Sequence, residues 1–167
     1  MPAGWRPDHQ SSLKRLRDTA GTNLLESALM MPLLLLLTFS IVDFASIFYV
    51  YLALESGVSQ ATRYAITGNQ MADPDNLGRQ LSREDSIKSA MRQATPTLTI
   101  HDDAFTFRHL PQGGGTWLSG SGGPGDIAKV TVDYTWTIMT PLMRPFFASG
   151  GVHLTVESAM KNEGRFE

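Results

Sequence analysis

Few residues in this chain have the type and spacing for chemistry, and the most suggestive are an acid and a glycine. Glu26 stands five positions after Gly21, at the head of an apolar run, LLESALMMPLLLLLTFSIV. A plain membrane anchor has no use for an acid there. Glycine has no Cβ and unfolds locally with ease, which suits a protease that needs an extended bond at a membrane edge, here Gly21-Thr22. Glu26 would then fall in the first turn of the helix left behind, where a negative charge meets the positive end of the helix dipole. The other reading makes Gly21 a junction residue and Glu26 an interfacial acid. The residues alone leave both open.

The other candidates are weaker. Asp43 is the first charge after Glu26, and intramembrane acids are functional candidates. The two are 17 residues apart, about 25 Å along one helix, so they cannot form a proton relay within one chain. Ser40, Asp43 and Ser46 recur at i, i+3 and share a helix face. That face either meets headgroups and water or forms a contact stripe for a partner helix, since polar residues hydrogen-bond between helices in lipid. His101, Asp102, Asp103 and His109 are metal-capable types, but such residues at strand ends are commonly just solvated. Gly120 to Gly125, GSGGPG, matches G-x-G-x-x-G without following a strand or opening a helix, so the phosphate-cradling geometry is missing. No Walker A sequence and no G-x-S-x-G elbow occur. The expectation is no metal, no cofactor and no catalytic residue.

The element that must position Glu26 and Asp43 is one long helix. From Ala28 to Val42 there is no charge. Leu24 to Leu54 as a helix spans about 46 Å, against a hydrocarbon core of roughly 30 Å. The helix can therefore cross a membrane and continue as a stalk. If hydrocarbon begins near Leu24, it ends near Asp43, and Phe44, Phe48, Tyr49 and Tyr51 supply the aromatic belt of an interface. Pro32 removes one backbone donor inside the span and predicts a kink.

Arg6, Lys14, Arg15 and Arg17 outnumber Asp8 and Asp18 in the polar segment before the span. Basic residues there keep that end in the cytoplasm and place the remainder outside. The 167 residues include no cysteine, so there are no disulfides and no cysteine metal site. A net charge of −2 gives no electrostatic footprint for nucleic acid.

The segment Gly21-Thr22-Asn23-Leu24-Leu25-Glu26 resembles the processing site of type IVb prepilins, in which a membrane aspartyl prepilin peptidase cuts after the glycine and a glutamate stands fifth in the mature chain. The longer run from Gly21 to Gly68 resembles the N-terminal region of TadE-like minor pilins, or pseudopilins, of the Tad/Flp pilus. Glu26, Pro32, Asp43-Phe44 and Arg63-Tyr64-Ala65 carry that resemblance. Ala159 to Glu163 is similar to the family's closing segment. Ser27 departs from the aromatic that follows the glutamate in major pilins, which sets this chain apart from the main filament subunit. The resemblance implies cleavage between Gly21 and Thr22 and an assembly role for Glu26. It also implies association with the prepilin peptidase, other pilins and the inner-membrane assembly machinery. The chain would then be the substrate of an enzyme and not itself an enzyme.

Three segments are expected: a cytoplasmic leader at 1–21, a transmembrane helix and stalk at 22–67, and an extracytoplasmic α+β domain at 68–167 with a small antiparallel sheet packed on helices. In the stalk Leu54, Val58, Ala61, Tyr64 and Ala65 fall at helical spacing, Gly57 weakens the helix, and Gly68-Asn69 ends it. Ser82-Arg83-Glu84-Asp85 predicts a helix start with Ser82 as cap, running to about Ala94 and stopped by Pro96. Leu98 and Ile100, then Phe105 and Phe107, alternate as one broken strand or two short ones. Pro111 to Gly125 reads as a flexible loop carrying Trp117. From Ala128 to Ile138 the alternation is clean, with Val132 and Trp136 toward the core and Asp133 and Thr135 toward solvent. Val152, Leu154 and Val156 form a last strand beside it. The function expected is a minor pilin supporting assembly of an adhesive Tad/Flp-type pilus from the bacterial inner membrane. The alternatives are a membrane-anchored extracytoplasmic binding domain, with the Trp117 loop as contact surface, and a protein secreted by an ordinary signal peptide.

Overall fold

The computed structural model describes the backbone of residues 9–163 apart from 77, 148 and 149, and side chains from residue 21 onward apart from those positions and 146. The expectations for the basic leader side chains lie outside the described residues. The chain divides into two units, 1–42 and 43–167.

The helix α1 runs from His9 to Ile66, so it starts well before Leu24. The physical reason is that Gly21 costs a helix interior only about 1 kcal/mol, too little to break a helix supported on both sides. In the first unit the side chains from Gly21 to Val42 are exposed almost all round. A helix apolar on every face needs lipid or other helices to cover it, and Gly21–Ile66 is long and apolar enough to cross a membrane. Pro32 stands inside this segment.

In the second unit, α1 buries one stripe, Val50, Leu54, Val58, Ala61 and Ala65, at the three- and four-residue steps of a single helix face. The helix α2, Arg83–Ala94, begins as the sequence predicts. Ser82 accepts from the Asp85 amide, and its hydroxyl donates to the Asp85 carboxylate at 2.6 Å. Its apolar face buries Ile87 and Met91. Four strands follow, β1 Phe105–Leu110, β2 Leu118–Ser119, β3 Ile127–Thr137 and β4 Gly151–Lys161. They form one antiparallel sheet in the order β2-β1-β3-β4. The fold is α+β, a long apolar helix followed by a small antiparallel sheet packed on helices.

The register of β3 is the expected one. Ala128, Val130, Val132 and Trp136 are buried, Thr135 is exposed and Asp133 half-buried. Trp136 pairs across to Val152 and Val132 to Val156 on β4. With Phe105, Phe107 and Ile138 they join the α1 stripe, Ile87 and Met91 in one core. Two expectations are corrected. Leu98 to Ile100 is not a strand: it follows a turn at Pro96, and Arg92 Nε takes the Ile100 carbonyl at 3.1 Å. Asp102–Ala104 then forms a short 3-10 turn before β1. The glycine-rich segment is not plain loop either, because Leu118-Ser119 pairs with β1 at Arg108 and His109.

Candidate functional site

Gly21, Thr22 and Glu26 all lie within α1, in the first unit, and their side-chain positions are exposed. Open space surrounds the place where a Cβ on Gly21 would stand. The peptide Gly21-Thr22 is therefore helical, and Glu26 is inside the helix. The dipole argument for Glu26 applies only once the residues before Thr22 are gone. Thr22 and Glu26 are one helical turn apart on the same face. A positive amine created at Thr22 would thus be a direct neighbour of the Glu26 carboxylate.

Asp43, first residue of the second unit, is buried, with 7 % exposure. Its carboxylate accepts from the Thr140 amide at 3.3 Å and from the Thr140 hydroxyl. Thr140 belongs to the connection between β3 and β4. The carboxylate is thus occupied within its own domain, which weighs against a stripe of Ser40, Asp43 and Ser46 turned together toward a partner helix. Ser40 lies in the other unit, its hydroxyl donating to the Leu36 carbonyl at 2.7 Å. Ser46 is half-buried. Sequence reasoning placed Asp43 at the membrane edge but carried no signal for a partner 97 residues away.

A second constellation fixes the end of the stalk. Arg83 donates through Nη2 to the Ala65 carbonyl at 2.7 Å and through Nη1 to the Gly122 carbonyl. The Glu163 amide donates to the Ile66 carbonyl at 3.0 Å. These donors satisfy carbonyls in the last turn of α1, which have no partner within the helix. Asn162 is buried and donates to the carbonyls of Gly123 at 2.8 Å and Ser121 at 3.3 Å. The closing segment at Ala159 to Glu163 therefore bolts the sheet, the glycine-rich segment and the stalk together. Burial lowers the Arg83 pKa, with Asp126 and Glu84 opposing that shift.

The G-x-G-x-x-G match lies in the same segment. Gly122 and Gly125 have φ of 71° and 81°, a region that favours glycine. A Cβ on Gly122 would lie 2.6 Å from that of His109. Asp126 accepts from the Gly123 amide at 2.7 Å and the Gln112 amide at 3.0 Å, and these bonds hold its carboxyl below the usual range. The Gly120, Gly123 and Gly125 amides are engaged internally, with the Phe107 carbonyl, the Asp126 carboxylate and the Glu163 carbonyl. Trp117 is 42 % exposed, with Lys129 Nζ 5.6 Å from the ring centroid.

The residues His101, Asp102, Asp103 and His109 are dispersed. Asp102 pairs with Arg92 at 2.5 Å, and that bond lowers its pKa. His109 Nδ1 lies 3.2 Å from the Gly120 carbonyl. His101 and Asp103 instead line an open cleft of about 460 Å³ with Asp133, Tyr134 and His153. There Thr155 donates to Asp133 at 2.6 Å, and His153 Nε2 is 4.0 Å away from it. Among the described residues, no three or more metal-capable side chains are grouped so that they could hold a metal ion.

No curated protein and no solved structure matches the chain. Residues 21–63, about a quarter of its length, match the family described as TadE-like protein, and the resemblance carried by Glu26, Pro32, Asp43-Phe44 and Arg63 holds over that stretch.

Proposed function

We propose that this chain is a minor pilin-like protein of a Tad-type pilus, anchored in the bacterial inner membrane by α1 and cut by a prepilin peptidase between Gly21 and Thr22. The observation that carries the reading is where the family match starts. The TadE-like match begins at residue 21, the last charge before the uncharged run is Glu26, and Glu26 is the acid one helical turn beyond Thr22.

The physical sequence of events follows from the helix. A peptidase must unwind Gly21-Thr22 to reach the bond, and glycine lowers the cost of doing so by about 1 kcal/mol relative to alanine. Cleavage leaves a positive amine on Thr22 at the start of a shortened helix. Glu26 near hydrocarbon is disfavoured as a lone carboxylate, by up to about 2.5–3.5 kcal/mol at full depth. Pairing with a Thr22 amine removes part of that cost. When the amine belongs to a neighbouring subunit, the charge pair sets the axial register of docking. The work of the protein is then assembly: with its leader in the cytoplasm and its α+β domain outside, it associates with other pilins and the inner-membrane machinery to support an adhesive filament.

The test is Glu26→Gln. The variant is expected to be cut and inserted as the parent is, but to lose co-purification with other pilins from solubilised membranes. A variant that is cut normally and recovers its partners at the parent level would leave Glu26 as an interfacial acid only.

A further inference from the structure

The connection between β3 and β4 carries an apolar surface that its own domain does not cover. Met139 is 64 % exposed, Leu142 46 % and Phe147 40 %. Arg144 is exposed beside them, with Nε donating to the Ile138 carbonyl at 3.2 Å. A loop of this kind usually spends polar residues on solvent. Here Ile138 and Met143 pack on the core, Met139, Leu142 and Phe147 face outward, and Thr140, near its start, turns inward to Asp43.

That bond fixes the level of the loop. Asp43 directly follows Val42, the last residue of the uncharged run. A span filling roughly 20 residues from Leu24 brings Asp43 to the outer headgroups. The Thr140 amide, 3.3 Å from the Asp43 carboxylate, stands at the same level. Phe44 and Phe48, on the next turns of α1, are also well exposed, as side chains of a membrane interface are. We propose that the β3–β4 connection docks on the outer lipid leaflet, with Met139, Leu142 and Phe147 entering the boundary between headgroups and acyl chains and Arg144 meeting lipid phosphate. An exposed guanidinium suits phosphate, and apolar side chains around it favour the interface over water. The domain is then held at the membrane at two places, the covalent helix and this loop. The inference rests on α1 being a membrane anchor.

The chain has no cysteine, so Leu142→Cys, Met139→Cys, Leu35→Cys and Lys161→Cys each place one fluorescent label. The full-length variants are reconstituted in phosphatidylethanolamine–phosphatidylglycerol vesicles containing a lipid with a nitroxide near its headgroup. Lys161 ends β4, about 33 Å along the strand from Gly151, and reports the aqueous baseline. Leu35 lies within the apolar run, about 12 Å from the level of Asp43, and reports insertion of the span in a second set of vesicles that carry the nitroxide in mid-chain. Labels at 142 and 139 are expected to be quenched several-fold more than the label at 161. Quenching at 142 and 139 no greater than at 161, with the label at 35 strongly quenched, would overturn the docking while leaving the anchor intact. An unquenched label at 35 would overturn the anchor, and the docking with it.

Discussion

Gly57 is the position where helix propensity and packing make opposite demands. In an exposed helix interior, Gly→Ala stabilises by roughly 0.8–1 kcal/mol. Gly57 is buried in α1, and a Cβ built there would lie 2.5 Å from Thr95 Cγ2 and 3.4 Å from Met91 Cε. Thr95 is the C-cap of α2 and almost fully buried, and its hydroxyl donates to the Met91 carbonyl at 2.9 Å. It cannot swing away without losing that bond. Forcing one methyl into such a site costs typically about 1–3 kcal/mol. Set against the propensity gain, Gly57→Ala is expected to destabilise by up to about 2 kcal/mol. Denaturant unfolding of the full chain in micelles, followed through the fluorescence of buried Trp136, measures the difference. Thr95→Ser removes Cγ2 and keeps the hydroxyl, so in that background Gly57→Ala should be neutral or stabilising, with the coupling read from the double-mutant cycle. A stabilising Gly57→Ala in the parent would refute the close approach of α1 and α2.

Two further outcomes follow from the site. Asp43→Ala deprives Thr140 of its acceptor, a loss of roughly 1–3 kcal/mol for groups left without a partner. Hydrogen exchange at the Thr140 amide should accelerate while the Val130 amide of β3 keeps its protection; unchanged exchange at Thr140 would contradict the contact. Asp126 is held below its ordinary pKa by the Gly123 amide first and the Gln112 amide second. Its contribution is therefore present above the unfolded value of about 3.9 and is lost as pH falls through that value toward the folded one. Asp126→Asn should flatten the acid limb of the stability profile, and an unchanged limb in an acid-unfolding titration would remove Asp126 from the anchoring of the glycine-rich segment.

What could be read from sequence was local or periodic. The uncharged run marked the apolar helix, Ser82 and Asp85 marked the start of α2, and the alternation from Ala128 to Ile138 fixed which face of β3 is buried. Each signal lies in one contiguous stretch, and the physics that produces it is complete within that stretch. The remainder depends on contacts distant in the chain. Leu98 and Ile100 alternate like a strand, but Arg92 claims the Ile100 carbonyl. Leu118-Ser119 is too short to show a period, and it becomes a strand only because β1 offers an edge. Gly57 reads as a weakness in a helix until Thr95 is placed against it. Asp43 reads as a membrane-edge acid, and nothing near it in sequence indicates Thr140. Arg83 and Asn162, which fasten the stalk to the sheet and the glycine-rich segment, look like ordinary surface polar residues until their carbonyl partners are in place.

Cleavage of the helix where its glycine stands separates a pilin from a plain anchored domain and from a secreted protein. Intact-mass and N-terminal peptide mass spectrometry of the protein extracted from membranes, with and without an active prepilin peptidase, measures that directly. The expected mature chain begins at Thr22 when the peptidase is active and keeps the residues before it when the peptidase is absent. A chain that retains its leader beside an active peptidase, or one that begins beyond the leucine run, would contradict the pilin reading.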